Sequence, residues 1–285
     1  MKTEPFEKQT SAGSLSEFCP PVSRAPLFNS LKANQAQILI QNDTGILLYD
    51  PAAGIYLANP KNDRIARGFL DAVRRHLILN HQDPASSENG ALCLWLNAAH
   101  VFWIKKEKDI EIFGECVEYV WTDPQKQPEE MSHLQFRTAV PDDFSMIRAH
   151  YDLAGDDELK KIISDGHLFL GVDENGAIVG FAGIHPEGSM GLLEVFPEFQ
   201  KRGYGLALEA HVILLMQKLG LIPCCDIFLD NRASMALQEK LGLRRCEDHV
   251  LWTFIKAASG KDKEGKTKES EKPEDESGTF DQNEY

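Results

Sequence analysis

The stretch Val195-Phe-Pro-Glu-Phe-Gln200-Lys-Arg-Gly203-Tyr-Gly205-Leu206 constrains this chain more than any other. An apolar run reaches Pro197, which has no N–H to give to a ladder and so ends a strand. A few residues later two glycines open a long apolar segment, about Gly203 to Leu219, that reads as a helix. The first amides of such a helix have no intrahelical acceptors, and the positive end of its dipole lies there. Gly203 and Gly205 let a ligand approach the backbone, and Lys201 and Arg202 add formal charge. The pattern predicts a pyrophosphate cradle at a strand-to-helix junction. Such a junction needs a sheet behind it, so the fold class is α/β (α+β).

The neighbouring sequence supplies that sheet. A strand at Leu134–Thr138 leads through Pro141-Asp142-Asp143 into a helix, with Asp142 as its cap. A second helix, Asp156–Ser164, ends at Asp165-Gly166. Strands at His167–Val172 and Ile178–Ile184 are joined by Glu174-Asn175-Gly176, a hairpin signal. A strand at Gly191–Phe196 precedes the long helix. A strand at Cys224–Leu229, a helix Arg232–Leu241 closed by Gly242, and a strand at His249–Ile255 complete the order β-α-α-β-β-β-α-β-α-β.

Residues 122–132 contain two prolines and no apolar periodicity, and read as a linker that divides the chain. Before it, strands are expected at Ala36–Ile40, Ile46–Tyr49, Ile55–Ala58, Leu92–Leu96, Val101–Ile104 and Ile110–Phe113. A helix from Asp63 to Leu79 carries Ile65, Phe69, Val73, His76 and Leu77 on one face. Trp95, Phe102, Trp103 and Trp121 are read as core. Residues 1–25 read as an irregular lead-in and 258–285 as a disordered acidic tail. The domains are then 26–121 and 133–257.

With 30 Lys+Arg against 44 Asp+Glu, the net charge of −14 excludes sequence-independent binding to nucleic acid or to an anionic membrane. The six cysteines, Cys19, Cys93, Cys116, Cys224, Cys225 and Cys246, include no C-x-x-C pair, so neither a metal site nor a disulfide scaffold is expected. Adjacent Cys224 and Cys225 should alternate across a strand. Met1–Pro5 shows no basic segment followed by an apolar one, and no apolar run is long enough to span a bilayer. The expectation is a reducing, cytoplasmic compartment.

Val195 to Gly205 resembles the acyl-CoA-binding motif of the GNAT superfamily of N-acyltransferases, Q/R-x-x-G-x-G/A after a strand ending V-x-P. Asn231-Arg-Ala-Ser234-Met-Ala-Leu237-Gln-Glu-Lys-Leu-Gly242-Leu resembles that family's N-x-x-S-x-x-L-x-x-K-L-G-F segment. Leu219-Gly-Leu-Ile-Pro223 is similar to the glycine N-acyltransferase-like branch. The resemblance covers about Leu134–Ile255. It implies a GNAT fold, a mixed and mostly antiparallel sheet flanked by helices. It also implies direct transfer of an acyl group, with acetyl-CoA (or another acyl-CoA) as co-substrate, to an amine of a small molecule, amino acid or peptide. The pantetheine chain would lie against the backbone of Val195 and Phe196. Gln200, Lys201, Arg202, Gly203, Tyr204, Gly205 and Leu206 would hold the pyrophosphate, and Asn231 with Ser234 would contact the arm.

The chemistry also needs a base for the attacking ammonium and often an acid for the leaving thiolate. Many relatives carry a Tyr acid one residue after the position of Leu237, where this chain has Gln238. For the base, Glu187 ranks first and Glu194 second, with His185 a hydrogen-bonded turn residue beside them; His211 and His249 are structural. Arg64-Ile-Ala-Arg67-Gly-Phe-Leu70, after Asn59-Pro60, echoes Gln200–Gly205. The echo suggests two pseudo-repeated domains with a degenerate first copy, in which Leu70 replaces the second glycine and no CoA binds. The rival readings are a non-catalytic acyl-CoA-binding regulatory protein, motivated by Gln238, and a mononucleotide-binding module, which lacks the G-x-x-x-x-G-K-[S/T] loop.

Overall fold

A computed structural model describes residues 25–33, 36–80, 90–128 and 134–256. The expected tail, most of the lead-in, Cys19 and the last four residues of the linker lie outside these residues.

In the first half, helix α1 (Ala25–Lys32) precedes the meander β1 (Gln37–Asn42), β2 (Gly45–Asp50) and β3 (Ile55–Pro60). Helix α2 (Asp63–Asn80) then crosses to β4 (Gly90–Trp95), and β5 (Ile110–Val120) follows. The second half holds β6 (Gln135–Thr138), α3 (Phe144–His150), α4 (Asp156–Ser164), β7 (Leu168–Val172), β8 (Ile178–Ile184) and β9 (Met190–Val195). Helix α5 (Tyr204–Leu219), β10 (Cys224–Phe228), α6 (Arg232–Leu241) and β11 (Arg244–Lys256) complete it.

The strands form a four-stranded sheet, β6-β7-β8-β9, and a seven-stranded sheet, β1-β2-β3-β4-β11-β5-β10. All pairings are antiparallel except β3 with β4. The larger sheet runs through both halves of the chain. β5, from the first half, lies between β10 and β11 of the second, and the end of β11 pairs with β4 of the first. The two halves therefore share a ladder, and the larger sheet is incomplete without strands from both.

Several local expectations change. α1 is an element for which no expectation was made; Pro26 sits in its first turn, where a missing N–H costs nothing, and Leu27, Asn29 and Ser30 are buried. Val101–Ile104 is not a strand: residues 102–106 form a 3₁₀ helix, and the preceding turn is fixed by Asn97 Oδ1 accepting from the Ala99 amide. Phe102 in that turn is 52% exposed, so it is not core, whereas Trp95 and Trp121 are buried and Trp103 lies under the Arg67 guanidinium. The α3 entry is held by Asp143 rather than Asp142: its Oδ2 accepts from the Val140 amide at 2.8 Å, and both its oxygens accept from Arg137 at 2.7 Å. β5 and β11 are both longer than their apolar cores suggest, because each has partners on two sides.

The alternation expected of the adjacent cysteines is present. Cys225 packs with α5 and α6, while Cys224 lies on the opposite face with Ala25 of α1. His211 stacks on Phe136 with centroids 4.0 Å apart, and His249 Nδ1 is 2.6 Å from Glu115 Oε1. Among the described residues no helix is long and apolar enough to cross a membrane.

Candidate active site

The two sheets meet where neither pairs further. β9 is the last strand of one and β10 the last strand of the other, so two unpaired edges face each other. β9 and β10 touch without sharing a ladder. Asn29 of α1 fixes one end of this seam. Its Nδ2 donates to Gly188 O at 2.8 Å and to Ile222 O at 2.9 Å, and its Oδ1 accepts from Ile222 N at 2.9 Å. Gly188 and Ile222 immediately precede β9 and β10, so the strands start together and run the same way, closed at their beginnings. α5 runs back between them, from the end of β9 to the start of β10. Edge strands left unpaired inside a molecule keep N–H and C=O groups available, which is what an extended ligand arm requires.

At the open end the Val195–Gly205 loop is shaped by its own side chains. Gln200 Nε2 donates to Val195 O at 3.1 Å, and Arg202 donates to Glu198 O at 2.8 Å. Lys201 and Gly203 both adopt left-handed backbone (φ 63° and 84°), an alternation that turns successive N–H groups to one side. Gly203 begins α5 without a side-chain cap, and a Cβ there would meet no atom within 4 Å. α5 thus starts, without a side-chain cap, at a residue that strongly favours glycine and has open space beside its Cα.

Gly205 also has a packing role. A Cβ at this position would lie 3.2 Å from Leu237 Cδ1, 3.6 Å from Val195 Cγ2 and 4.0 Å from Leu193 Cδ2. It faces the interior, where it lets α5 pack closely on β9 and α6. Leu206 is core, and Tyr204 lies beside the Phe199 ring at 6.4 Å. Phe196 gives its amide to Val179 O and stacks its ring on His150 at 4.0 Å. Asn231 caps α6 by accepting from the Ser234 amide at 3.1 Å, which brings that pair to the same end of β10 as the loop.

The two expected bases lie at different places. Glu187 is 5% exposed, at the closed end of the seam; Ser189 Oγ donates to its carboxylate, and its carbonyl accepts from Ser30 of α1 at 3.4 Å. Glu194 is half-buried on the face of β9 turned away from α5, toward the end of α3. Burial raises its pKa, and the neighbouring His150 opposes that rise. Beside it Tyr151 is pushed up to about 12, by burial first and then by Glu158, Asp152 and Glu194. His185 covers Gly191, with Nε2 at 2.7 Å from the position a Cβ would take, and its Nδ1 is 4.0 Å from Glu158.

Sequence reasoning missed three features of the seam. Leu192 has φ 54°, at a bulge in the β8–β9 register, so β9 kinks where its free edge faces β10. No residue type announces that bulge. Asp226, in the middle of β10, stands directly opposite Glu118 of β5. Burial pushes Asp226 up to about 7, the Trp252 N–H (3.0 Å) opposes that rise, and Glu187 adds to it. An acid inside the apolar run Cys-Cys-Asp-Ile-Phe was the available signal. The third is Asn29, whose long-range role has no local signature.

Acyl-CoA fits this arrangement: an uncapped helix start over Gly203 suits a pyrophosphate, and a seam between two free strand edges suits an amide-bearing arm. Among the described residues no group of His, Cys, Asp and Glu is arranged to hold a metal.

Comparison with known proteins agrees with this fit. Residues 129–243 match the family model described as Acetyltransferase (GNAT) family. No curated protein matches the chain. Among solved structures, a Drosophila protein superimposes with a TM-score of 0.58 at 14% identity, over 82% of this chain and 90% of its own. A Novosphingobium aromaticivorans protein described as an acetyltransferase from the GNAT family gives 0.52 at 15% identity, over 84% of this chain and 100% of its own. A GCN5-related N-acetyltransferase from Kribbella flavida gives 0.52 at 10% identity, over 85% and 96%. The architecture is the GNAT fold, and residues 129–243 are similar to the GNAT acetyltransferase family.

Proposed function

We propose that this protein is an acyl-CoA-dependent N-acyltransferase, using acetyl-CoA to acylate an amine of a small molecule, amino acid or peptide. One observation carries the reading: a seam of two unpaired strand edges leads from the uncapped start of α5 to a closed end at Asn29. The amides of residues 203–206, with Lys201 and Arg202 at the rim, hold the pyrophosphate. Gln200 acts indirectly, by bonding Val195 O and setting the loop. Asn231 and Ser234 border the arm.

The acceptor approaches on the α3–α4 side, where the face of β9 is lined by Glu194. Glu194 takes the ammonium proton. The amine then attacks the thioester carbonyl carbon, a C–N bond forms, the C–S bond breaks with its electron pair on sulfur, and the second proton of the acylated nitrogen passes to that thiolate through solvent. A carboxylate with a raised pKa retains that proton better than an ordinary one. Glu187 is closed off from the acceptor by burial and holds the base of the seam with Ser189 and Ser30. The glycine N-acyltransferase-like placement rests on Leu219–Pro223, the segment whose Ile222 bonds Asn29. Free buried cysteines suit a reducing, cytoplasmic setting.

Calorimetric titration with acetyl-CoA tests the reading. Wild-type protein binds saturably, and Gly203→Glu weakens binding by at least about 100-fold, near 2.7 kcal/mol, because it places a carboxylate and a Cβ over the amides. A folded wild-type protein that ignores acetyl-CoA overturns it. One observation favours the non-catalytic alternative, namely Gln238 where relatives carry Tyr, and a wild type that binds acetyl-CoA yet acylates no amine would support it.

A further inference from the structure

α2 and residues 98–109 run side by side, held by contacts at three levels. Asp63 lies 3.5 Å from His100 Nδ1, the Arg67 guanidinium sits 4.0 Å over the Trp103 ring, and Arg74 reaches Glu107 at 2.8 Å and Asp109 at 2.6 Å. Residues 61–75 and 98–109 together carry eight Lys or Arg against four Asp or Glu, in a chain of net charge −14. Those four acids are already engaged: Asp71, Glu107 and Asp109 face Arg74, and Asp63 faces His100. Among the described residues Lys61, Arg64, Arg67, Lys105, Lys106 and Lys108 form no ion pair, and all six are exposed. Phe102 stands among them 52% exposed, with Lys105 Nζ 5.3 Å from the centre of its ring. Unpaired cations gathered around an exposed aromatic ring suit an acidic segment that brings aromatic residues of its own.

The chain carries such a segment. Residues 257–273 hold four acids and five lysines, whereas Glu274–Tyr285 holds five acids, no Lys or Arg, and the aromatic residues Phe280 and Tyr285. β11, which leads into these residues, ends against the basic face: Lys256 N donates to Asp109 O at 2.8 Å, next in sequence to Lys108. Residues 257–273 span at most about 60 Å when extended, and the basic face is about 20 Å long, so the acidic segment can reach all of it. We propose that Glu274–Tyr285 docks in cis on this face, its carboxylates beside the six unpaired cations and Phe280 against Phe102. Each exposed charge pair is weak, but tethering gives the segment an effective concentration on the order of millimolar, so that several weak pairs suffice to populate the docked state. The inference stands independently of the acyl-CoA reading.

The test is zero-length carbodiimide cross-linking of the full chain, which joins a carboxylate to a lysine only where the two meet, read by mass spectrometry of peptides from the monomer. At about 0.05 M salt, Lys105, Lys106 and Lys108 are joined to carboxylates of residues 274–284 in preference to those of residues 262–271, although the latter are tethered closer. Raising the salt to about 0.5 M lowers that yield about tenfold. Arg64→Gln with Arg67→Gln removes two charges without touching a cross-linking group, and lowers the yield about fivefold. Phe280→Ser, a change confined to the segment, lowers it about threefold. Equal yields from residues 262–271 and 274–284, or yields indifferent to salt and to these variants, would mean that the tether alone brings the groups together, and the proposal fails. It fails also if, in a mixture of isotopically labelled and unlabelled protein, the cross-links join only different copies, which would give the face to a second chain.

Discussion

The chain contains two strand–proline–helix–strand units, β3–α2–β4 and β9–α5–β10, and they end in opposite states. In the first, β3 and β4 pair in parallel from Ile55↔Leu92 to Ala58↔Trp95, leaving no edge between them. Its helix is capped by its own sequence: Asn62 Oδ1 accepts from the Ile65 amide at 3.1 Å. In the second unit the strands share no ladder, and the helix starts on a left-handed glycine with no side-chain cap. The echo of Gln200–Gly205 in Arg64–Leu70 falls inside α2, with Gly68 in its second turn, so it forms no loop at all. A binding site on this scaffold is defined by the backbone groups left unmet, and the first unit has met its own.

Exchanging the residues at the corresponding positions gives the most severe test of that contrast. Leu70 is 1% exposed in the core between α2 and the sheet. Leu70→Gly is expected to cost about 4–5 kcal/mol through its cavity and a glycine in mid-helix, and to create no acetyl-CoA binding. Gly205→Leu, the converse, forces α5 from Leu237 and Leu193 and weakens acetyl-CoA binding by about 10- to 100-fold. Chemical denaturation and calorimetry on both variants read the two effects. Acetyl-CoA binding by Leu70→Gly would show that the first unit is poised for the cofactor and that its pairing is incidental.

The closed end of the seam is the next place to press. Asn29→Ala leaves one buried backbone group of Gly188 and two half-buried groups of Ile222 without their side-chain partner, and about 3 kcal/mol of stability is expected to go with them. Denaturant midpoints measure it. A loss under about 1 kcal/mol would mean that the β9–β10 start is held by packing alone.

What could be read from the residues follows from the range of the interactions involved. The C-terminal elements were legible because their signals are local: Asn175-Gly176 for a hairpin, Pro197 for a strand end, Gly220 and Gly242 in left-handed conformation for helix ends. The loop was legible for the same reason. The shared ladder was not, because β5 is placed between β10 and β11 by contacts more than 100 residues apart. Nor was the function of Gly205, since a glycine looks the same whether it faces a ligand or a leucine. Glu187 ranked above Glu194 on proximity to the strand; its burial against α1, a helix the sequence did not announce, is the reason Glu194 is proposed in its place.

The second unit also holds buried acids that make its stability depend on pH. The folded pKa of Glu209, about 7, exceeds the usual value of 4.5, so the native state binds the extra proton between those values. Stability is then highest below about pH 4.5 for this group and falls as pH rises toward 7, by up to about 3 kcal/mol. Asp226 acts in the same direction. Glu209→Gln is expected to remove its share of the slope. Urea titrations at several pH values, compared between wild type and variant, give the difference directly, and parallel curves would show Glu209 to be ionised throughout.

The smallest effect concerns the cap that the first unit has and the second lacks. Asn62→Ala removes the acceptor for the Ile65 amide at an exposed helix start, where solvent replaces the lost bond. About 1 kcal/mol of stability should be lost, with acetyl-CoA affinity unchanged. The value of this variant lies in its specificity. A cap on α2 stabilises only the first unit, whereas in the proposed complex the corresponding amides of α5 bind the ligand, so saturating acetyl-CoA should raise the Tm of wild type and Asn62→Ala by equal amounts. An unequal shift would mean that the two helix starts communicate through the shared ladder of β4, β11, β5 and β10, and that the first unit contributes to cofactor binding without touching it.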